Sequence, residues 1–381
     1  MLPTKECTGC SACAHICPKN CISMLPDNYG FLYPHINDEI CVNCGICKKY
    51  CPVLNKSEQE FPINTNCYAA KTNEETLRAQ SSSGGIFSVI AEKVLENDGV
   101  VYGAAFDESF VVKHIGISSI NDLDLLRRSK YVQSDLNNSF SAIKEQLNSG
   151  KIVLFTGTPC QVEGLLSYLQ KPYDNLITMD FVCHGVPAPN VWEYYKTFLQ
   201  KQYKSPITNI NFRDKSSGWK NFSIRIDFEN DSVYCNSFGK DPYMKAFLAN
   251  MDLRESCYIC KFKSTKHKSD FTVADYWGID KIKPEIDDDK GLSLLLVNTP
   301  KGARFLLEIA TKIDLVKTDL EQVFAYNPCI IKSANKHNFS EYFFYNYNKS
   351  DFTKTVNSCL TPSCITRYKR KLLQLKMEIS K

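Results

Sequence analysis

One cysteine pattern occurs twice near the amino end of this chain, and each copy ends in a Cys-Pro pair. The copies are Cys7-x-x-Cys10-x-x-Cys13-x-x-x-Cys17-Pro18 and Cys41-x-x-Cys44-x-x-Cys47-x-x-x-Cys51-Pro52. Such runs supply thiolate ligands to 4Fe–4S clusters, and in paired runs the fourth cysteine ligates the other cluster. The pattern therefore predicts one cluster on Cys7, Cys10, Cys13 and Cys51, and a second on Cys41, Cys44, Cys47 and Cys17.

Two other uses of such cysteines fit less well. Tetrahedral zinc uses two Cys-x-x-Cys pairs and would leave the third and fourth cysteine of each run without a function. A disulfide framework is typical of short secreted chains, whereas this chain has 381 residues and begins MLPTKE, without a charged-then-apolar leader. We therefore expect iron–sulfur clusters in a reducing cytoplasm.

The composition is that of a globular chain. The residues are 43% hydrophobic and 12% aromatic, which is enough for two or three compact units. The formal net charge of +4, from 46 basic and 42 acidic residues, is too close to balance to indicate nucleic acid. No apolar run approaches the roughly twenty residues that span a bilayer, so any membrane link is expected to be peripheral.

The chain has 18 cysteines, many for a cytosolic protein, and the two runs leave ten to explain. Cys160 and Cys183 follow predicted strands, and Cys257-x-x-Cys260 follows a predicted hairpin, so these four suit ligand positions. The other six are interpreted as small buried side chains: Cys21, Cys67, Cys235, Cys329, Cys359 and Cys364.

Strand and helix patterns alternate beyond a polar linker at 56–66. An apolar stripe after Ser81-Ser82-Ser83-Gly84-Gly85 predicts a helix, and residues 100–106 predict a strand. Residues 151–155 and 176–182 also predict strands, each followed by a helix, the first with Thr158 as N-cap and Pro159 as its first residue. This alternation predicts an α/β core with its sites at the carboxyl ends of the strands.

The later part of the chain has a different pattern. Residues 222–228 alternate apolar and polar side chains, and a turn at 229–231 leads into 232–238, which predicts an antiparallel hairpin. From about Lys301 the pattern is helical. The tail at 367–373 is basic and amphipathic, as in solvated surface helices; a partner or an anionic membrane surface is the alternative.

Two turns offer hydroxyls and free backbone N–H groups at a positive helix end. They are Ser82-Ser83-Gly84-Gly85 and the turn from Thr156 to Gln161. Helix capping alone would explain either turn. Their occurrence together in one α/β unit favours a dinucleotide or a flavin.

Seven motifs follow the cysteine runs in order: SSSGGIFS, RRSKYVQS, FTGTPCQVEGL, DFVCHGVP, FRDKSSGW, CYICKFK and VADYWGI. In this combination, and up to about residue 310, the chain resembles the coenzyme F420 hydrogenase/dehydrogenase beta-subunit family, with an amino-terminal two-cluster ferredoxin domain. The resemblance implies FAD and at least one 4Fe–4S cluster in the flavin unit. It also implies electron transfer between iron–sulfur centres and a hydride-accepting substrate.

Carried over motif by motif, the resemblance places eleven residues near the flavin: Ser82, Ser83, Gly84, Gly85, Ser129, Lys130, Tyr131, Thr156, Gly157, Thr158 and Gln161. Lys130 is expected to stabilise anionic reduced flavin, the alternative being a solvated basic face with Arg127. His184 is a candidate proton donor, or a neutral histidine that fixes its turn.

The resemblance also implies a third 4Fe–4S cluster on Cys160, Cys183, Cys257 and Cys260. In the alternative, the first two cysteines are packed turn residues and the last two bind zinc with partners such as His267. The sequence departs from the family before Trp277-Gly278, where Ala274 precedes Asp275 instead of the usual glycine. Asp275 is interpreted as a turn carboxylate or a substrate contact.

The expected function is an FAD- and iron–sulfur-dependent oxidoreductase. Clusters carry single electrons and the substrate takes hydride, and a flavin converts between the two. The external partner would be ferredoxin, coenzyme F420 or another hydride carrier. The resemblance also includes reductases of a chlorophyll side chain and bacterial members linked to polysaccharide biosynthesis. The alternative is a non-catalytic electron-transfer subunit of a larger redox complex; a homo-oligomer is a further expectation.

The expected architecture has five parts. An α+β ferredoxin-like domain at 1–55 and the linker at 56–66 precede a beta-subunit amino-terminal domain at 67–150. An α/β flavin and inner-cluster domain at 151–315 carries the antiparallel hairpin as an insertion. A helical carboxyl-terminal region occupies 316–381.

Overall fold

The computed structural model describes residues 2–56 and 65–379, with the backbone alone at 377–379. Most of the predicted linker, 57–64, lies outside these ranges. The described strands are β1 (Ile22–Pro26), β2 (Leu32–Ile36), β3 (Asn66–Thr72), β4 (Val100–Phe106), β5 (Val112–Ile117), β6 (Val153–Thr156), β7 (Leu176–Phe181), β8 (Ile207–Asp214), β9 (Ser223–Phe228), β10 (Val233–Ser237), β11 (Phe271–Asp275), β12 (Ser293–Val297) and β13 (Ile313–Lys317).

The described α-helices are α1 (Ala12–Ile16), α2 (Ile46–Lys49), α3 (Glu75–Gln80), α4 (Ile86–Glu96), α5 (Leu123–Leu126), α6 (Ser139–Asn148), α7 (Pro159–Leu169), α8 (Pro189–Tyr203), α9 (Pro242–Leu248), α10 (Glu255–Tyr258), α11 (Ile279–Ile282), α12 (Pro300–Ile309), α13 (Leu320–Val323), α14 (Ser340–Asn346), α15 (Phe352–Leu360) and α16 (Cys364–Ile379). Short 3₁₀ turns occur at Ile120–Asp122, Pro284–Ile286, Ala310–Lys312 and Pro328–Ile330. In the described part of the chain, no helix has the length and hydropathy needed to cross a bilayer.

The amino-terminal unit combines short helices with a two-stranded sheet. Strands β1 and β2 pair antiparallel, with Ile22 opposite Ile36. The helices α1 and α2 lie within the two runs and contain Cys13 and Cys47, and their preceding residues, Ser11 and Gly45, have left-handed backbone conformations. Such turns bring successive cysteines round to one side, which is what a shared cluster requires.

A mixed eight-stranded sheet forms the centre of the molecule, in the order β13-β3-β12-β11-β7-β6-β4-β5. Neighbours among β4, β6, β7 and β11 run parallel, whereas β5, β12 and β13 run antiparallel to their neighbours. The predicted α/β alternation therefore holds only for the parallel centre. Strands from 67–150 and from 151–317 lie in this one sheet, and the division at residue 150 stays a prediction.

Side chains alternate between the two faces of the sheet. Along β6, Leu154 packs with α4 and α12, whereas Val153 and Phe155 pack with α6 and α7 on the opposite face. This follows from the two-residue period of a strand. At the carboxyl end of β6, Thr158 forms a capping box with Gln161 at the start of α7, which confirms the predicted helix start.

Strand β13 contradicts the helical pattern expected from about Lys301. Residues 300–309 do form α12, but the chain then pairs with β3 as an edge strand, with Leu315 opposite Ala70. Ile313 is buried while Asp314 and Lys317 remain exposed, so a short strand buries the apolar side chain without a helix. The residues beyond β13 contain the helices α13 to α16.

The predicted hairpin is confirmed as β9 and β10, with Val233 opposite Asp227. Strand β8, which the sequence pattern did not reveal, pairs with β9 and completes a separate three-stranded sheet. The apolar side of this sheet packs against α8, α9, α14 and α15.

The six cysteines outside the predicted ligand sets behave differently from one another. Cys21, Cys67 and Cys359 are buried as expected, and Cys329 is partly buried. The expectation of burial is wrong for Cys235 and Cys364, which are exposed because the first lies on edge strand β10 and the second begins α16.

Candidate functional site

Four cysteines of the amino-terminal unit surround one cavity of about 330 Å³, hereafter the amino-terminal cavity. They are Cys7, Cys10, Cys13 and Cys51. Cys51 comes from the second run, so the geometry brings together the set that includes the crossing fourth cysteine. The cavity is otherwise mostly apolar, lined by residues such as Leu2 and Val53.

Three of the four cysteines of the second predicted set lie in one cluster. Cys17 is buried beside Cys21, and Cys41 and Cys47 pack against them, while Cys44 is exposed. The sulfurs of Cys17 and Cys21 lie 3.3 Å apart. A fifth thiol, Cys21, therefore lies beside this set, although the sequence pattern gives it no role as a ligand.

The four inner cysteines line a second cavity, with an empty volume of about 650 Å³ that is partly open to solvent, hereafter the inner cavity. Cys160 is the second residue of α7, Cys183 follows β7, and Cys257 and Cys260 lie on and just after α10. The carboxyl ends of two parallel strands thus deliver two of the thiols, as expected for a site in a parallel sheet.

The chemistry of these thiols fits a cationic centre. Burial, followed by repulsion from neighbouring cysteines, raises the pKa of Cys160 to about 12. Burial likewise raises the pKa of Cys257 to about 11, and that of Cys183 well above its usual range. Thiolates crowded in this way are stable only beside positive charge, which metal coordination supplies.

The donor geometry does not favour a single metal ion. Within residues 2–56 and 65–379, no three His, Cys, Asp or Glu side chains converge as ligands of one ion. Zinc thiolates lie roughly 2.3 Å from a common centre, whereas cysteines around a cubane each bind a different iron. His267 lines the inner cavity; its Nδ1 pairs with Asp180 Oδ2 at 2.8 Å, and its buried Nε2 has no hydrogen-bond partner among the described residues.

The two cavities are neighbours. Thr8 lines both of them, and Cys10 packs on α7 at Gly164, close to Cys160. A Cβ at Gly164 would lie 2.9 Å from the Cys10 Cβ and 3.2 Å from its Sγ, so a larger residue would push the two units apart. The absence of a side chain here allows the amino-terminal unit to dock directly against the helix that carries Cys160.

Arg254 is a buried cation between the two cavities that sequence reasoning missed. Its Nε donates to the Cys7 carbonyl at 2.7 Å, and its Nη1 donates to Gln133 Oε1 at 3.0 Å, while the side chain also lines the inner cavity. The residue is 0% exposed. Its position three residues before Cys257 was the available signal. A buried guanidinium favours anionic centres on either side.

Lys263, also missed, approaches the inner cysteines from the other direction. Its Nζ donates to the Cys183 carbonyl, and its charge favours the thiolate of Cys183. The residue lies in the motif CYICKFK, but a lysine there is ordinarily solvated. Only the fold reveals that it points to the inner cavity.

Residues from four of the quoted motifs meet in one network. The Ser82 hydroxyl lies 3.2 Å from that of Ser129, and Arg213 Nη2 lies 3.5 Å from the Ser82 carbonyl. Arg213 also bonds the Tyr131 hydroxyl and pairs with Asp275. Because the buried Nε of Arg213 has no protein partner among the described residues, this network retains donor capacity for a bound group.

Lys130 lies between Ser129 and Tyr131 in the chain, two residues of this network. Its Nζ donates to the carbonyls of Leu125 and Arg127 at 2.9 and 2.7 Å. Although the side chain keeps some contact with solvent, desolvation and then the charge of Arg128 lower the pKa of Lys130 to about 7. Two neutral carbonyls hold the ammonium without compensating its charge, which suits an anionic ligand.

The remaining predicted cofactor residues divide into two groups. Thr158 and Gln161 line the inner cavity itself, and Thr156 lies beside them at the end of β6. Gly84 and Gly157 instead have packing roles: a Cβ at Gly84 would lie 2.3 Å from the Ala70 carbonyl oxygen, and one at Gly157 would lie 3.0 Å from Gln161 Oε1. Ser83 donates to the Leu292 carbonyl and Gly85 takes a left-handed conformation before α4.

His184 lines the inner cavity with both ring nitrogens engaged. Nε2 lies 2.6 Å from Asn250 Oδ1, and Nδ1 lies 3.5 Å from Cys329 Sγ. Burial is the main cause that lowers the pKa of His184, so the neutral ring predominates. A neutral ring donating to Asn250 and accepting from the Cys329 thiol is consistent with both contacts.

Comparison with known proteins agrees with this arrangement of units. Residues 6–55 match the family described as 4Fe-4S dicluster domain, and residues 150–322 match the family described as the C terminus of the coenzyme F420 hydrogenase/dehydrogenase beta subunit. A 7Fe ferredoxin of Hydrogenibacillus schlegelii is 30% identical over 74 residues, covering 19% of this chain and 88% of the ferredoxin.

Two similar proteins come from Methanocaldococcus jannaschii. A polyferredoxin-like protein is 39% identical over 66 residues, 15% of this chain and 39% of that protein. A coenzyme F420-dependent sulfite reductase is 26% identical over 190 residues, 48% of this chain and 28% of that protein. The chain thus spans well under half the length of both relatives.

Among solved structures, a chain of the F420-reducing NiFe hydrogenase complex from Methanosarcina barkeri superimposes with a TM-score of 0.47 and 16% identity. The match covers 71% of this chain and 91% of that one.

The two family matches confirm the resemblance drawn from the seven motifs and the cysteine runs. The molecule is an iron–sulfur protein with a ferredoxin-type dicluster domain. Its residues 150–322 belong to the family described as the C terminus of the coenzyme F420 hydrogenase/dehydrogenase beta subunit.

Proposed function

We propose that this protein is an FAD- and iron–sulfur-dependent oxidoreductase that passes electrons between an external donor or acceptor and a hydride-accepting substrate. The observation that carries the proposal is the adjacency of the two cysteine-lined cavities, which share Thr8 and have Arg254 between them. Electron transfer requires closely spaced centres, and these two cavities share a lining residue. Electrons would then pass between the second cluster, the first cluster, the inner cluster and the flavin, in that order.

In this proposal the inner cavity holds a third 4Fe–4S cluster on Cys160, Cys183, Cys257 and Cys260. Lys263 and Arg254 supply the positive charge that favours its thiolates. The buried setting also excludes water, which strengthens these interactions. A reducing compartment would keep the eight amino-terminal ligands and these four thiols available for iron.

FAD is proposed to bind between the inner cavity and the Ser82–Arg213 network. When bound, FAD would accept two electrons as hydride and release them singly. The unpartnered Arg213 Nε and the uncompensated Lys130 ammonium are donors that suit an anionic cofactor. We assign Lys130 the role of holding positive charge against the reduced cofactor. His184 is assigned to fix the turn after Cys183, because both of its ring nitrogens have protein partners.

The substrate is proposed to be coenzyme F420 or a comparable hydride carrier, in line with the names of the family and of one relative. A link to polysaccharide biosynthesis stays a prediction. The second candidate is an electron-transfer subunit whose catalytic centre lies in a partner. It is favoured by the exposed position of Cys44, because a cluster bound there would lie near the surface, within reach of a partner that donates electrons.

Anaerobic purification followed by iron, sulfide and flavin analysis separates these candidates. An enzyme should contain stoichiometric FAD, and its flavin absorbance should bleach with reduced coenzyme F420 or NADH. Lys130→Met should slow this bleaching while flavin content persists, whereas the exposed Lys151→Met should not change it. A preparation with iron but without flavin, reducible by ferredoxin alone, would instead identify an electron-transfer subunit.

A further inference from the structure

The last described helix, α16, presents an apolar stripe to solvent. The stripe consists of Ile365, Tyr368, Leu372 and Leu375, which are 68%, 63%, 41% and 53% exposed. Their spacing of three, four and three residues places them on one side of the helix. Ten helical rises give the stripe a length of about 15 Å.

The opposite side of α16 is attached to the body of the protein. Thr366 and Leu373 are buried, and Arg370 donates to the Asn338 carbonyl at 2.9 Å while its guanidinium lies 4.8 Å from the centre of the Phe339 ring. These contacts fix the rotation of the helix. The exposed stripe therefore has a fixed orientation towards solvent and is not the core-facing side of an undocked helix.

Cations flank the stripe on both sides. At 100° per residue, Lys369 lies on one edge of the stripe and Lys371 on the other, and both are exposed. Residues 364–376 contain five basic residues and no Asp or Glu. The surface is thus apolar along its centre and cationic along its borders.

This charge pattern indicates whether a second copy of α16 or a membrane surface covers the stripe. In a pair of identical α16 helices the apolar residues would form the seam, and the flanking lysines of both copies would face one another and repel. The stripe is also shorter than two heptads, whereas coiled coils need three or four. A bilayer requires no matching partner of equal length and attracts cations through its anionic headgroups.

We propose that α16 docks this protein on an anionic membrane surface, with the stripe of Ile365, Tyr368, Leu372 and Leu375 entering the headgroup region. Lys369 and Lys371, on the two edges of the stripe, face the anionic lipid headgroups. The attachment is peripheral, because the helix lies along the interface. It is independent of the redox chemistry proposed above.

Sedimentation of the anaerobically purified full chain with vesicles tests this proposal. Vesicles of phosphatidylcholine with phosphatidylserine should bind the protein, and vesicles of phosphatidylcholine alone should not. Lys369→Gln with Lys371→Gln should lower the partition coefficient roughly 25-fold, about fivefold per lysine. Ile365→Ser with Leu372→Ser should also lower it. The double variant Lys151→Gln with Lys317→Gln and the variant Leu307→Ser, all at exposed positions on the body, should bind like the parent protein.

The substituted side chains are exposed, so each variant should fold like the parent protein. An unchanged iron content checks this. The proposal is overturned if the parent protein does not bind anionic vesicles at low salt. It is also overturned if the α16 variants and the control variants bind these vesicles equally. It is also overturned if the parent protein forms a dimer that Leu372→Ser dissociates and that fails to bind vesicles.

Discussion

Arg213 and Asp275, 62 residues apart in the chain, form a two-point ion pair inside the protein. Nη1 lies 2.9 Å from Oδ2, and Nη2 lies 3.0 Å from Oδ1. Trp219 Nε1 donates to the same carboxylate at 3.0 Å, and the guanidinium carbon lies 3.8 Å from the centre of the Phe222 ring. The pair therefore joins β8 of the smaller sheet to β11 of the central sheet.

We expect Asp275→Asn to destabilise the protein by about 3–5 kcal/mol, because it leaves the buried guanidinium of Arg213 without its counter-charge. The Arg213 side chain is only 2% exposed, so solvent cannot compensate. Urea unfolding followed by circular dichroism measures the loss. Flavin content should fall in parallel if this network holds the cofactor.

The control for this variant is Asp227→Asn, which removes a comparable ion pair with Arg225 on the hairpin. Arg225 is 42% exposed, so the change should alter the free energy of unfolding by less than about 1 kcal/mol. Equal effects of the two substitutions would show that burial of the Arg213 pair contributes nothing to stability.

Substituting Gly164 tests the docking of the amino-terminal unit. Gly164→Val would place side-chain atoms against Cys10, where even a Cβ lies 2.9 Å from the nearest atom. We expect slower electron transfer from the amino-terminal clusters to acceptors at the inner cavity, with amino-terminal iron retained. Stopped-flow absorbance after mixing with reduced ferredoxin measures the rate.

Gly239 offers the matched control, because no atom lies within 4 Å of a Cβ built there and its φ is not positive. Gly239→Val should leave the transfer rate unchanged. An unaltered rate in Gly164→Val would contradict direct docking of Cys10 on α7.

The cysteine sets were predicted from the sequence, whereas the charged residues around them were not. Local spacing predicted the two amino-terminal cysteine sets, the N-cap at Thr158 and the hairpin, because each depends on residues in one stretch of the chain, the longest from Cys7 to Cys51. Arg254 and Arg213 were missed since their partners, Cys7 and Asp275, are remote in the chain. Strand β13 was missed for a similar reason: only pairing with β3 distinguishes its short apolar pattern from the end of a helix.

Removing an inner cysteine tests the third cluster. Cys160→Ser should lower the iron content from about twelve to about eight per chain, because a cubane rarely survives the loss of a thiolate ligand. Iron and sulfide analysis gives the count, and electron paramagnetic resonance of the reduced protein should lose one of its signals. Cys235→Ser, at an exposed position distant from the cavities, should retain the parent value. Identical iron contents in the parent and Cys160→Ser would rule out a cluster at the inner cavity.

Asp252 should make stability depend on pH. The residue is 0% exposed, and in the described part of the chain neither carboxyl oxygen has a hydrogen-bond partner. Burial raises the pKa of Asp252 to about 7. In the unfolded chain the pKa would be about 3.9. Between these values the folded state retains a proton that the unfolded state releases, so the stability that this group contributes is lost as pH rises towards 7.

Asp252→Asn removes this titration, so the free energy of unfolding of the variant minus that of the parent should rise with pH. The slope is about 1.4 kcal/mol per pH unit, which gives about 2 kcal/mol between about pH 5.5 and about pH 7. Urea unfolding of both proteins at several pH values measures the difference. Asp98→Asn, at an exposed position with a left-handed backbone that asparagine tolerates, should show no such slope. A difference between Asp252→Asn and the parent that stays constant with pH would mean that the buried carboxyl ionises normally.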